Sequence, residues 1–367
     1  MNTRFNWLVA GVIALTACGA ASDPTAVTAT CADQPGHAKC VVVTPPAGDS
    51  ALRLLAAKSA RYIGSAAGFR FGQATHNAVL SGEFSMLTPE NALKWESVHP
   101  ARATYNYAAP DAMLTFATAN GMKMRGHTLV WHSQNAPWLT ATSWPADTLT
   151  QIMKDHINSV MGRYKGQIYA WDVVNEALND NGTLRATVWS TTLGKSYLET
   201  AFRAARAADP AALLFYNDYA LEFGGAKQDA AFTLMSDLQT RGVPIDGIGF
   251  QAHFQINPDL GGVPSRASLT STFARFAALG LKVHITELDI RVRVPGATAV
   301  ELAAQASAYS DVVAACRAVP RCDAIVVWGI SDADSWIPTF FPGWGNALLF
   351  DNAFARKPTY TAVKNAL

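Results

Sequence analysis

The chain has 367 residues, half of them apolar, enough to bury one large core and in the usual size range of a single α/β barrel. Its 29 Lys and Arg nearly cancel its 28 Asp and Glu, leaving a net charge of +1. That balance gives no electrostatic reason to expect nucleic acid or an anionic membrane surface as a partner, and it suits a neutral polymer.

At the N-terminus Arg4 precedes an apolar run from Leu8 to Ala17, the order of an export signal and too short to span a bilayer. The run ends in Leu15-Thr16-Ala17-Cys18-Gly19, which resembles the lipobox of bacterial lipoproteins. That resemblance implies a signal segment over 1–18, acylation at Cys18 and a cell-envelope location, with the lipid as the sole membrane contact. The alternative is ordinary cleavage after Ala21 and a secreted protein. The other cysteines form two local pairs, and in an exported chain they read as disulfides Cys31–Cys40 and Cys316–Cys322, although spacing does not fix connectivity. A zinc site is the rival, but neither pair has a Cys-x-x-Cys spacing.

Residues 19–50 are rich in Ala, Thr, Pro, Asp and Gly without periodicity and read as a flexible tether. From 51 to 367 no second linker or repeat interrupts the chain, so this stretch is expected to be one catalytic domain. Apolar runs predict strands near Tyr62–Ser65, Phe84–Thr88, Lys123–Thr128, Ile168–Asn175, Ala212–Asn217, Gly247–Ala252, Lys282–Glu287 and Ala324–Ile330. Amphipathic stretches between them predict helices at Pro110–Asn120, Asp147–Tyr164, Ser196–Ala208, Lys227–Arg241, Leu269–Leu279 and Ala299–Val319. Eight alternating units predict a single (β/α)8 TIM barrel of the α/β class. Polar residues collect where the strands end, at Glu90 and Asn91, His127, Asn175 and Glu176, Asn217, His253, Glu287 and Trp328. That end of such a barrel is where active sites sit.

Two of those strand ends carry the chemistry. Trp171-Asp172-Val173-Val174-Asn175-Glu176 brings one carboxylate to the rim, and Ile285-Thr286-Glu287-Leu288-Asp289 brings another from three strands further on. A pair of carboxyls suits glycosyl transfer, one protonating the leaving oxygen while the other attacks the anomeric carbon or activates water. His127, His132 and His253 raise metal hydrolysis as a rival, but the first strand has no His-x-His, so neither metal nor cofactor is expected.

From about residue 55 to 365 the chain resembles glycoside hydrolase family 10, the endo-β-1,4-xylanases. The likeness rests on WDVVNEA from Trp171 and ITELD from Ile285, with FSMLTPENALKW from Phe84, GHTLVWHSQ from Gly126, YNDY from Tyr216, GFQAHF from Gly249 and WGISDADSW from Trp328. It implies a retaining endo-xylanase with Glu176 as acid/base and Glu287 as nucleophile. His253 and Asp289 would keep Glu287 ionised, and Asn175 would donate to the sugar 2-hydroxyl. Glycone binding would fall to Glu90, Asn91, Lys94, His127, Trp131, Gln134, Trp328 and Trp336, with Tyr219 and Gln251 around the scissile bond. The implied partners are xylan and xylo-oligosaccharides, met by a monomer. Ala333 and the Pro342-Gly343-Trp344-Gly345 insertion depart from the family pattern and bear on the shape of the cleft. The rivals are a xylan-binding protein without turnover and a β-1,4-glucanase of the same mechanism.

Overall fold

The computed structural model describes residues 51–257 and 262–367. Cys18, the 19–50 tether and the Cys31–Cys40 pair lie outside the described residues. Ten strands are present: β1 (Tyr62–Ala67), β2 (Met86–Pro89), β3 (Lys123–Val130), β4 (Ala170–Asn175), β5 (Leu213–Asp218), β6 (Gly247–Phe250), β7 (His253–Gln255), β8 (Lys282–Arg293), β9 (Cys322–Val327) and β10 (Trp344–Gly345). β1 to β6 pair in parallel each with the next, β6 with β8, β8 with β9, and β9 with β1. The sheet therefore closes into the eight-stranded barrel that the alternation predicted.

Strand chemistry explains the closure. Strands such as Ala-Ile-Val-Val within β9 are apolar on both faces because one side meets the barrel interior and the other the helices. Glycines make room inside: a Cβ on Gly247 would sit 2.3 Å from the Phe215 ring, and one on Gly249 2.1 Å from Asn217 Oδ1. Around the barrel the helix Ser196–Ala208 buries Tyr197, Leu198, Ala201, Phe202 and Ala205 on one stripe. The helix Ala299–Ala318 begins at a Thr298/Glu301 capping box. Its last turn is joined to β9 by the Cys316–Cys322 disulfide, with Cα atoms 5.2 Å apart.

A polar layer fills the barrel below the site. Arg125, fully buried, grips Asp172 through Nε and Nη2, and its Nη1 lies 2.8 Å from His284 Nδ1. Arginine can only donate, so His284 Nδ1 accepts and its Nε2–H donates to Asp323 at 2.7 Å. Burial, foremost, holds His284 down to about 4, in keeping with that neutral tautomer.

Several strand ends depart from expectation: the eighth strand was predicted at Ala324–Ile330 but β9 spans Cys322–Val327, and two others bear on the site. The seventh was predicted to end at Glu287, but β8 runs to Arg293 because β7 pairs with Asp289–Arg291 on one side and β10 with Val292 and Arg293 on the other. The sixth was predicted to continue to Ala252, but β6 stops at Phe250. Ala252 has φ of 60°, which breaks the strand before it resumes as β7. The helices Leu52–Lys58, Ala74–Glu83, Val188–Leu193 and Pro358–Ala366 were not among those predicted.

Candidate active site

A cavity of about 620 Å³ opens at the C-terminal ends of the strands. It is lined by Glu176, Glu287, Asn175, His253, Glu90, Asn91, Lys94, His127, Trp131, Gln134, Tyr219, Gln251, Trp328 and Trp336, all of them expected from the sequence to serve the site. Asp289 lies one layer behind, fully buried.

On β8, Glu287 and Asp289 point the same way because strand side chains alternate. His253, at the start of β7, sits between them, its Nδ1 2.9 Å from Asp289 Oδ2 and its Nε2 3.3 Å from Glu287 Oε2. Burial alone would discharge this imidazole, but the charge of Asp289, the bonds to both carboxylates and the charge of Glu287 raise it to about 10. A protonated His253 donates from both nitrogens. Glu287 Oε1 takes a second bond, from Asn217 Nδ2 at 2.7 Å, and Asn217 is oriented by Thr286 Oγ1, which donates to its Oδ1. Two donors thus converge on the Glu287 carboxyl.

Glu176 follows β4 with φ of 55°, and its amide donates to Asn217 O. Arg185 fixes this turn, donating through Nε to the Glu176 carbonyl and through Nη2 to Leu178 O and the Tyr219 hydroxyl. The carboxyl meets His132 Nε2 at 2.8 Å, Gln251 Nε2 at 2.9 Å and Asn175 Nδ2 at 3.3 Å. Burial pushes its acidity down, yet His132, Gln251 and the nearby Trp131 outweigh it and lower the pKa to about 2. The Trp131 indole N–H is buried and approaches without reaching hydrogen-bond geometry. These donors favour the Glu176 carboxylate over the acid. His132 can reverse by tautomer without moving: with its proton on Nδ1, Nε2 accepts from a protonated Glu176.

The sugar-sized part of the cleft is walled by indoles. Trp336 Nε1 donates to Asp289 Oδ2 at 2.8 Å, so the wall and the support of Glu287 share one carboxylate. Lys94, pushed down by burial, donates to Asn91 Oδ1 at 2.9 Å and Gln134 Oε1 at 2.7 Å. His127 Nδ1 faces Asp172 Oδ2 at 3.0 Å, which leaves its Nε2 for the cleft. Asp172 stays low despite burial because Arg125 and His127 hold its charge. Arg185 and Arg291 were not among the residues read from the sequence, and Asn217, His132 and Asp172 were named there without the contacts seen here. Asn217 and His132 stood inside the YNDY and GHTLVWHSQ blocks, whereas nothing in the sequence pointed to Arg185 or Arg291. Among the described residues no group of three or more His, Cys, Asp or Glu side chains is arranged to hold a metal ion.

The family model described as glycosyl hydrolase family 10 matches residues 51–366. Endo-1,4-beta-xylanase 1 of Gibberella zeae is 47% identical over 311 residues, covering 84% of this chain and 88% of that protein. Endo-1,4-beta-xylanase B of Thermotoga neapolitana is 40% identical over 323 residues, covering 87% and 92%. Native xylanase 10B of Thermotoga maritima superimposes with a TM-score of 0.83 at 41% identity, over 86% of this chain and 97% of that one. Xylanase 10B of Thermotoga petrophila, solved with xylobiose, gives 0.83 at 40%, over 90% and 98%.

Proposed function

The chain belongs to glycosyl hydrolase family 10, and from that premise we propose how its cleft divides the work of cutting xylan: Glu287 is the nucleophile and Glu176 the general acid/base. The enzyme is a retaining endo-1,4-β-xylanase acting by double displacement through a covalent glycosyl-enzyme intermediate. The observation that carries the assignment of roles is the His253 imidazolium held between Glu287 and Asp289, which fixes the Glu287 carboxyl at the rim and aims a cationic donor at it.

In the first step Glu287 attacks the anomeric carbon while Glu176 delivers its proton to the leaving glycosidic oxygen. Asn175, already oriented by Asn217 and Gln251, donates to the 2-hydroxyl, a bond that strengthens as the ring flattens. Once the aglycone leaves, Glu176 is a carboxylate and accepts a proton from the incoming water, which displaces Glu287 and restores the starting configuration. Trp131, Trp328 and Trp336 offer flat faces to the sugar, with Glu90, Asn91, Lys94, His127 and Gln134 on its hydroxyls and Tyr219 and Gln251 near the scissile bond.

Azide tests which glutamate does which. With an aryl xylobioside bearing a good leaving group, Glu176→Ala plus azide is expected to yield the β-glycosyl azide, because azide enters where the activated water would. Glu287→Ala plus azide is expected to yield the α-azide by direct displacement. The reverse pattern exchanges the roles.

The substrate is a polymer too large to cross a membrane, which together with the signal-like N-terminus supports an exported enzyme. The finer reading is a lipoprotein anchored at Cys18, with 19–50 as tether. Mass spectrometry of the mature N-terminus is expected to find acylated Cys18; an unmodified start at Ser22 removes the anchor.

A further inference from the structure

We propose that Phe69 builds an additional glycone subsite, which takes the third sugar ring of a xylan chain counted from the cut; the proposal rests on the xylanase reading above. β1 ends at Ala67, and the chain turns outward through Gly68 and Phe69. Phe69 is 73% exposed, the largest value among exposed large apolar side chains other than Val300. The next most exposed phenylalanine, Phe340 at 67%, lines the catalytic cavity. Both rings border sugar-sized space, which lone surface apolar residues have no reason to do.

The space at Phe69 is a separate hollow of about 300 Å³, bordered by Gly68, Phe69, Asn91, Ala92, Ser97 and Asn106. Asn91 also lines the catalytic cavity, so the hollow adjoins the glycone end of the cleft. Glu90, the other glycone residue at this end, passes so close to Gly68 that a Cβ there would fall 1.9 Å from its Oε2. A glucan or xylan chain leaving the Glu90 and Asn91 region therefore meets Phe69 next.

Phe69 is also held for the task. The Arg70 guanidinium carbon lies 5.2 Å from its ring centroid. Arg70 is itself tied across the rim, its Nε 3.1 Å from Asp334 Oδ1 and 3.3 Å from the Ala333 carbonyl. Ser97 and Asn106 line the same hollow as Phe69, and an aromatic ring with polar residues around one space is the combination a pyranose accepts, apolar on its face and polar at its edge.

The test compares nitrophenol release from 4-nitrophenyl β-xylobioside, whose sugars fill two glycone subsites, and from the β-xylotrioside, whose sugars fill three. The wild type is expected to show a higher kcat/KM on the trioside. Phe69→Ala is expected to lower trioside kcat/KM about three- to tenfold, the worth of one aromatic platform. It should leave the bioside within about twofold, the limit of a negligible change in free energy. Phe69→Tyr keeps the platform and should restore the trioside value. Equal losses on both substrates, or no gain from the third sugar in the wild type, overturn the subsite while leaving the xylanase reading intact. No release from either substrate by the wild type overturns that reading and the subsite with it.

Discussion

Glu176 and Glu287 are the same residue type at the ends of two parallel strands, and their donors separate them. Glu287 is served by a cationic His253 and by Asn217, neither of which can accept a proton from it in that state. Glu176 is served by His132, which can. For Glu176 to act as the proposed acid it has to hold a proton, and His132 is the neighbour whose tautomer can accept from the protonated form. His132→Ala removes the foremost donor lowering Glu176, and the basic limb of the kcat/KM profile is expected to move to higher pH; an unmoved limb refutes the role. A second buried glutamate tests the electrostatics away from chemistry. Glu222 is raised to about 7, chiefly by burial, with Oε1 accepting from Ala252 N and Oε2 unpaired. Its folded value exceeds the unfolded one, so its ionisation opposes folding: no penalty exists below about pH 4.5, and about 3 kcal/mol is present above pH 7. Glu222→Gln should flatten that stretch of the stability profile, read by denaturant titration at pH 5 and 8. A part for Trp336 in selecting xylose is tested by substitution: Trp336→Ala removes the indole and its bond to Asp289, and should raise activity on aryl cellobiosides relative to aryl xylobiosides. An unchanged ratio contradicts the indole's part in selecting xylose.

Elements position these groups through close contacts that leave little tolerance. Gly249 on β6 faces Asn217 on β5, and a methyl group there would overlap Asn217 Oδ1. Gly249→Ala is therefore expected to displace the bond from Asn217 to Glu287 and lower kcat with little change in KM; a wild-type kcat counts against the role of Asn217. The Cys316–Cys322 bridge acts on stability alone, since it closes a six-residue separation on the far end of β9 from the site. Replacing both by alanine should cost about 2 kcal/mol in denaturant titration, the loop-closure value for so short a loop, with kcat unchanged. The barrel was legible because short apolar runs alternate with amphipathic stretches eight times, and the helix Ser196–Ala208 was read to the residue because its stripe repeats at helical spacing. The β8 extension to Arg293 was not, since Asp289 and Arg291 are polar residues made strand by partners far away in sequence. Arg185 was missed for the same reason: an arginine in a loop becomes informative only when its carbonyl partners are seen to belong to Glu176 and Leu178.

At the scale of the whole molecule, one closed barrel gathers residues from the ends of its strands into a single cleft, and no helix among the described residues is long and apolar enough to cross a membrane. The near-neutral charge leaves substrate capture to indoles, amides and short-range hydrogen bonds, so xylan hydrolysis is expected to change little with ionic strength. A steep loss of kcat/KM between low and high salt would contradict that. The account stands on Glu287 forming the bond to sugar. A 2-deoxy-2-fluoro xylobioside with an activated leaving group slows release of the glycosyl enzyme enough to isolate it, because the fluorine removes the 2-hydroxyl contact and destabilises the cationic transition state. Digestion and mass spectrometry of the trapped protein should place one difluoro-free, singly fluorinated xylobiosyl group on the peptide carrying Ile285-Thr286-Glu287-Leu288-Asp289. A label on Glu176, or turnover of the substrate with no label on Glu287, would contradict it.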